Sequence, residues 1–245
     1  MQYRYAATSV EGFIQQLASN YLPHGYWFYV SGWLPEGKDP RTLDEKLLVK
    51  YGISMSRQSR WRRKAAGFAN LQYLRYERFF LLLATHGKHH FFAEEAATIR
   101  DVRKVPIKFA GHSISYKPGG FLRKEADAPA EPDSGWHSRV QVDRERYAEL
   151  KAYFKENACK RSAETLAREL FCLPYEPYAP VRQQLLNLLR LINQARHAGN
   201  LARVSPEVLR YQRKIVKPFD AITVSRVNKG RDQPHIADIA QTCSA

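Results

Sequence analysis

Arg57-Gln58-Ser59-Arg60-Trp61-Arg62-Arg63-Lys64 sets five cations and an indole in eight residues without a carboxylate. Cations held that close repel one another unless an anion lies over them, and a polyphosphate gains by releasing its counterions to Lys and Arg. An indole among guanidinium groups can stack on a base while the cations hold phosphates. The chemistry implied is nucleic-acid binding, with Tyr73 as a second stacking candidate and Arg210, Arg213 and Lys214 as a further cationic set. A solvated helix face would show the same composition. A second cluster, His86-Gly87-Lys88-His89-His90, precedes Glu94 and Glu95. Such imidazoles and carboxylates could hold Mg²⁺ or Mn²⁺ beside a phosphodiester and polarise it for attack. Two ligands on one strand need i, i+2 spacing, whereas His86 and His89 are three apart, so the same residues also read as the end of a strand and the start of a helix.

These side chains must be held by a folded protein. The chain has 245 residues, 44% hydrophobic and 12% aromatic, enough for one large core or two modest ones. Its formal net charge is +15, with 21 cations against 13 anions in residues 1–142 and 18 against 11 in 143–245, so the basic excess is not confined to a tail. The three cysteines, Cys159, Cys172 and Cys243, match no paired metal knuckle and leave an odd thiol if two of them bridge, so a reducing cytoplasm is expected. No stretch approaches the roughly 18 uncharged apolar residues of a membrane span, so a membrane partner is not expected.

Periodicity supplies the elements. Residues 8–20 read as an amphipathic helix, 26–34 as a buried aromatic strand, and 40–51 as a helix opened by Asp39-Pro40 and stopped at Gly52. Residues 70–76 and 78–85 read as strands of a tight hairpin turning at Glu77, 92–102 as a helix, and 107–117 as a strand with Ile107, Phe109, Ile114 and Tyr116 inward. The order is β-α-β-β-α-β, which predicts an α+β fold with a ferredoxin-like, split β-α-β antiparallel sheet. Residues 118–135 read as a loop and 136–142 as a final strand. Helices follow at 143–157, 163–173 and 180–198, and a last one from Ser205 through Arg210, Arg213 and Lys214. The predicted organisation is an α+β core over 1–142, a helical region over 143–219 and a disordered tail over 220–245.

Over about residues 21–157 this order resembles the HUH endonucleases, the rolling-circle replication initiators and single-tyrosine transposases, which carry histidines at the end of a central strand and a nucleophilic tyrosine on a later helix. The resemblance implies a metal-dependent single-strand nicking enzyme with His86, His89 and His90 as ligands and Tyr147 or Tyr153 as nucleophile. The chain departs from that family's His-hydrophobe-His spacing. Tyr147, Leu150 and Phe154 also fall at i, i+3, i+7, the stripe of a packed helix. The first expectation is therefore a DNA- or RNA-binding protein with no cofactor. A nuclease and a subunit docking an acidic protein are the alternatives.

Overall fold

Phe79–Ala84 is an uninterrupted apolar run, and in the computed structural model of the chain it forms a strand with a partner on each side. The structure describes residues 3–119, 122–123, 131–132 and 134–219; the tail expected over 220–245 lies outside them. The elements are mixed helices and antiparallel strands, an α+β fold. Among the described residues, two compact units form: residues 3–106, 115–138 and 215–219 in the first, and 107–114 and 139–214 in the second.

In the first unit α1 (Val10–Gln15) is capped by Ser9, whose side chain accepts the Gly12 N–H, and the helical path continues with wider turns through Gln16–Tyr21. β1 (Phe28–Trp33) precedes α2 (Pro40–Lys50), which Asp39 caps, and α3 (Arg57–Ala65), which Ser56 caps. β2 (Leu71–Tyr76) and β3 (Phe79–Ala84) pair from Leu71↔Ala84 to Tyr76↔Phe79. Glu77 makes their turn with a left-handed φ of 50°. β1 lies against the other edge of β3, from Phe28↔Ala84 to Trp33↔Phe79. The fourth strand is β4 (Arg100–Asp101), giving the order β2-β3-β1-β4 with all neighbours antiparallel. Tyr51, Ile53, Leu71, Tyr73, Leu82 and Phe91 are buried together in one core cluster of this unit.

Two expectations change here. The helix predicted over 92–102 is only α4 (Phe91–Glu94), because the Thr98 hydroxyl and N–H both bond the Glu95 carbonyl and turn the chain. The strand predicted over 107–117 is two strands, β5 (Ile107–Phe109) and β6 (His112–Pro118), paired from Ile107↔Ile114 to Phe109↔His112. Ala110 and Gly111, with φ of 46° and 71°, reverse the chain between them.

Within the stretch read as a loop, β7 (Leu122–Arg123) pairs with β8 (Glu131–Pro132), and residues 120–121, 124–130 and 133 lie outside the described residues. β9 (Trp136–Val142) completes the order β5-β6-β9. In the second unit α5 (Arg144–Asn157), α6 (Ala163–Phe171) and α7 (Ala179–Ala198) bury Leu150, Phe154, Leu166, Leu185, Leu188 and Ile192. The last expected helix is a single short turn, Pro206–Val208, ended by extended backbone at Leu209. Among the described residues no helix is long and apolar enough to cross a membrane.

Candidate nucleic-acid interface

A nine-residue helix with five cations needs help to form. In α3 that help comes from both ends: the Ser56 hydroxyl accepts the Ser59 N–H at 3.2 Å, and Arg62, Arg63 and Lys64 sit in the last turn, where the helix dipole favours positive charge. The 3.6-residue period then divides the cations. Arg57, Trp61 and Lys64 are exposed at i, i+4, i+7, with Arg62 exposed beside them, and Trp61 keeps 70% of its surface in solvent. Arg60 and Arg63 are half-buried and turn inward.

Arg60 is therefore an anchor rather than a phosphate contact. Its guanidinium donates to the Ile53 carbonyl at 3.0 Å and lies 5.5 Å from the Tyr3 ring centre, while the Asn70 side chain donates to the Arg60 carbonyl at 2.8 Å. Arg63 lies 5.4 Å from the Phe68 ring centre, and no carboxylate pairs with it among the described residues. Tyr73 cannot stack on a base: its side chain is fully buried and its hydroxyl donates to Asp44 at 2.6 Å. Burial, then the Asp44 carboxylate, hold its phenol well above the usual range.

Beside α3 opens a pocket of about 640 Å³ that brings part of the basic cluster and part of the histidine cluster together. Arg63, Lys88, His89 and His90 line it with Phe68 and Tyr51. The backbone explains the meeting. Lys88 N–H donates to the Gly67 carbonyl at 3.0 Å and Ala69 N–H to the Lys88 carbonyl at 3.1 Å, so the segment after β3 is stitched to the segment after α3. Gly87 makes this approach possible, since a Cβ there would lie 2.5 Å from the Ala69 nitrogen, and its φ is 136°.

The imidazoles do not converge on a cation. His86 is exposed, with its ring 6.4 Å from that of Phe28, while His89 and His90 stack on each other at 4.3 Å. His90 Nε2 donates to the Lys50 carbonyl at 3.1 Å, and His89 Nδ1 accepts the Phe91 N–H at 3.1 Å. Among the described residues no group of three His, Cys, Asp or Glu side chains could hold a metal ion. The nearby carboxylates have other partners: Glu94 pairs with Lys50 at 2.9 Å and Glu95 accepts the Tyr51 hydroxyl at 2.7 Å. Burial, then the neighbouring His90 and Arg63, hold His89 below the ordinary imidazole range, which favours its neutral form. The fold thus favours the neutral ring, and this contribution is full above about pH 6.5 and lost as the pH falls below it.

The remaining sequence candidates lie in the second unit. Tyr147 donates its hydroxyl to the Gln184 carbonyl at 3.2 Å and Tyr153 to Glu169 at 3.3 Å. Burial raises both phenols, with the Glu169 charge adding to the effect at Tyr153, so neither is activated as a nucleophile. Arg210 donates to the Leu173 and Tyr175 carbonyls at 2.6 and 3.0 Å, Arg213 lies 4.6 Å from the Tyr178 ring centre, and the Lys214 N–H donates to Glu176 at 2.9 Å. Arg210 is thus engaged with the carbonyls that follow α6.

No family model, curated protein or solved structure matches the chain.

Proposed function

We propose that the chain is a nucleic-acid-binding protein, for DNA or RNA, that grips phosphates with Arg57, Arg62 and Lys64 and stacks a base on Trp61. The observation that carries this reading is the outward face of α3, which presents these three cations and an indole 70% exposed to solvent, with no carboxylate on the helix to neutralise them. An indole left that exposed contributes little to folding, and in a basic surface it gives the flat apolar platform that an unstacked base needs. Single-stranded nucleic acid is the natural ligand, because only unpaired bases are free to stack. The strand order β2-β3-β1-β4 supports reading the sheet beneath as a ferredoxin-like split β-α-β core, with α2 and α3 as its first connection. The nuclease alternative has less support, because the two phenols that would attack are raised by burial and bonded within their own unit.

The test is direct binding of fluorescently labelled single-stranded DNA and RNA, followed by anisotropy. Trp61→Ala should lose about 1–3 kcal/mol of single-strand affinity, about five- to 150-fold, with its thermal midpoint unchanged. Unaltered affinity in this variant would remove the stacking role. Failure of the parent protein to bind any oligonucleotide while binding an acidic peptide would favour a protein partner.

A further inference from the structure

The pocket beside α3 differs from the helix's outer face in shape and in charge. It is concave, of about 640 Å³, and has aromatic walls, Phe68 and Tyr51. Of its three cations, Lys50 is met by Glu94 at 2.9 Å, whereas Lys88 and Arg63 have no carboxylate partner among the described residues. Among the described residues nothing hydrogen-bonds the enclosed Arg63 Nε. His89 Nδ1 accepts the Phe91 N–H and the ring also bonds the Tyr51 backbone, so the imidazole is held as a fixed part of the wall. Two unmatched positive charges in an aromatic-walled pocket suit a phosphate group. A diester inside a strand carries one negative charge, whereas a monoester carries about 1.5–2 at pH 7 and exposes three acceptor oxygens.

Resting on the nucleic-acid reading, we propose that this pocket holds the terminal phosphate monoester of a nucleic-acid strand whose body runs along α3. Lys88 and Arg63 take the charge. Phe68, 44% exposed, flanks the terminal nucleotide. The strand then continues past Lys64 and Trp61 toward Arg57.

The experiment compares three single-stranded oligonucleotides of one sequence, ending in 5′-phosphate, 3′-phosphate or hydroxyls only, by competition against a labelled strand. One phosphorylated end should bind about ten-fold more tightly than the hydroxyl form, as expected for a new pair of charge-assisted contacts. Lys88→Ala should abolish that preference and leave the hydroxyl form's affinity within about two-fold, while Arg57→Ala should weaken all three equally. Lys88 is exposed, so its removal tests the pocket without unfolding it. Equal affinity for the three ends, or a preference that persists in Lys88→Ala, would overturn the terminal-phosphate site and leave general binding standing. If none of the three bound, the underlying nucleic-acid reading would fail with it.

Discussion

Reversing Arg57, Arg62 and Lys64 together to Glu is expected to lower single-strand affinity by about a hundred-fold or more at 0.1 M salt. Each phosphate contact on a single strand contributes about 0.7 to the slope of log affinity against log salt, so losing three removes about two log units at that concentration. The three side chains are exposed and, among the described residues, bond nothing that closes the fold, so the thermal midpoint should shift little. Arg60 and Arg63 belong to a different experiment, since both are half-buried against Tyr3 and Phe68. Replacing either would mix lost binding with a loosened helix. A triple variant that stays folded and binds with parent affinity would make the helix face a solvated surface only.

The largest effect on stability is expected at Asp44. Its side chain is fully buried on α2, accepts the Tyr73 hydroxyl at 2.6 Å, and receives the Arg75 guanidinium through Nε at 2.9 and 3.0 Å. Removing one member of a buried pair leaves the other charge without compensation, so Asp44→Ala should cost about 3–5 kcal/mol in a urea titration. Tyr73→Phe removes one hydrogen bond and should cost only about 1–3 kcal/mol. Asp44 ties α2 to β2, and the end of α2 carries Lys50 and Tyr51 into the pocket, so the damage should reach ligand binding as well. A loss below about 1 kcal/mol for Asp44→Ala would mean that α2 is held by its apolar contacts alone.

β3 is legible in the sequence because a short, unbroken apolar run over 79–84 bounded by polar residues fits a buried strand, and its hairpin partner β2 because Asn70-Leu71-Gln72-Tyr73 alternates polar with apolar. β4 is not, since two charged residues at a sheet edge carry no apolar pattern and pair only because β1 offers a free edge. The 107–117 stretch looks like one strand because its buried residues continue across Ala110-Gly111. The signal passed over is the glycine, which permits a reversal that apolar content cannot reveal. In the basic cluster, composition gives the charge, but the helical period gives the inward-facing pair only once Ser56 is known to start the helix. Tyr73 illustrates the limit for single residues. An aromatic in an alternating strand can face either way, and the partner that holds it inside, Asp44, lies 29 residues earlier.

The pocket is the least legible feature. Lys88 and the histidines read locally as the end of a strand, and Arg63 reads as part of a charge run. Only the backbone bonds from Lys88 to Gly67 and from Ala69 to Lys88 bring them to one wall. Gly87 is the single residue type that hints at this close approach.

The measurement that bears most directly on the central claim is the salt dependence of single-strand binding by the unmodified protein. Log affinity should fall linearly with log salt with a slope of about −2 or steeper, corresponding to at least three phosphate contacts, and the α3 triple reversal should flatten it by about two. A slope near zero, or a slope the triple reversal leaves unchanged, would contradict phosphate binding by this helix.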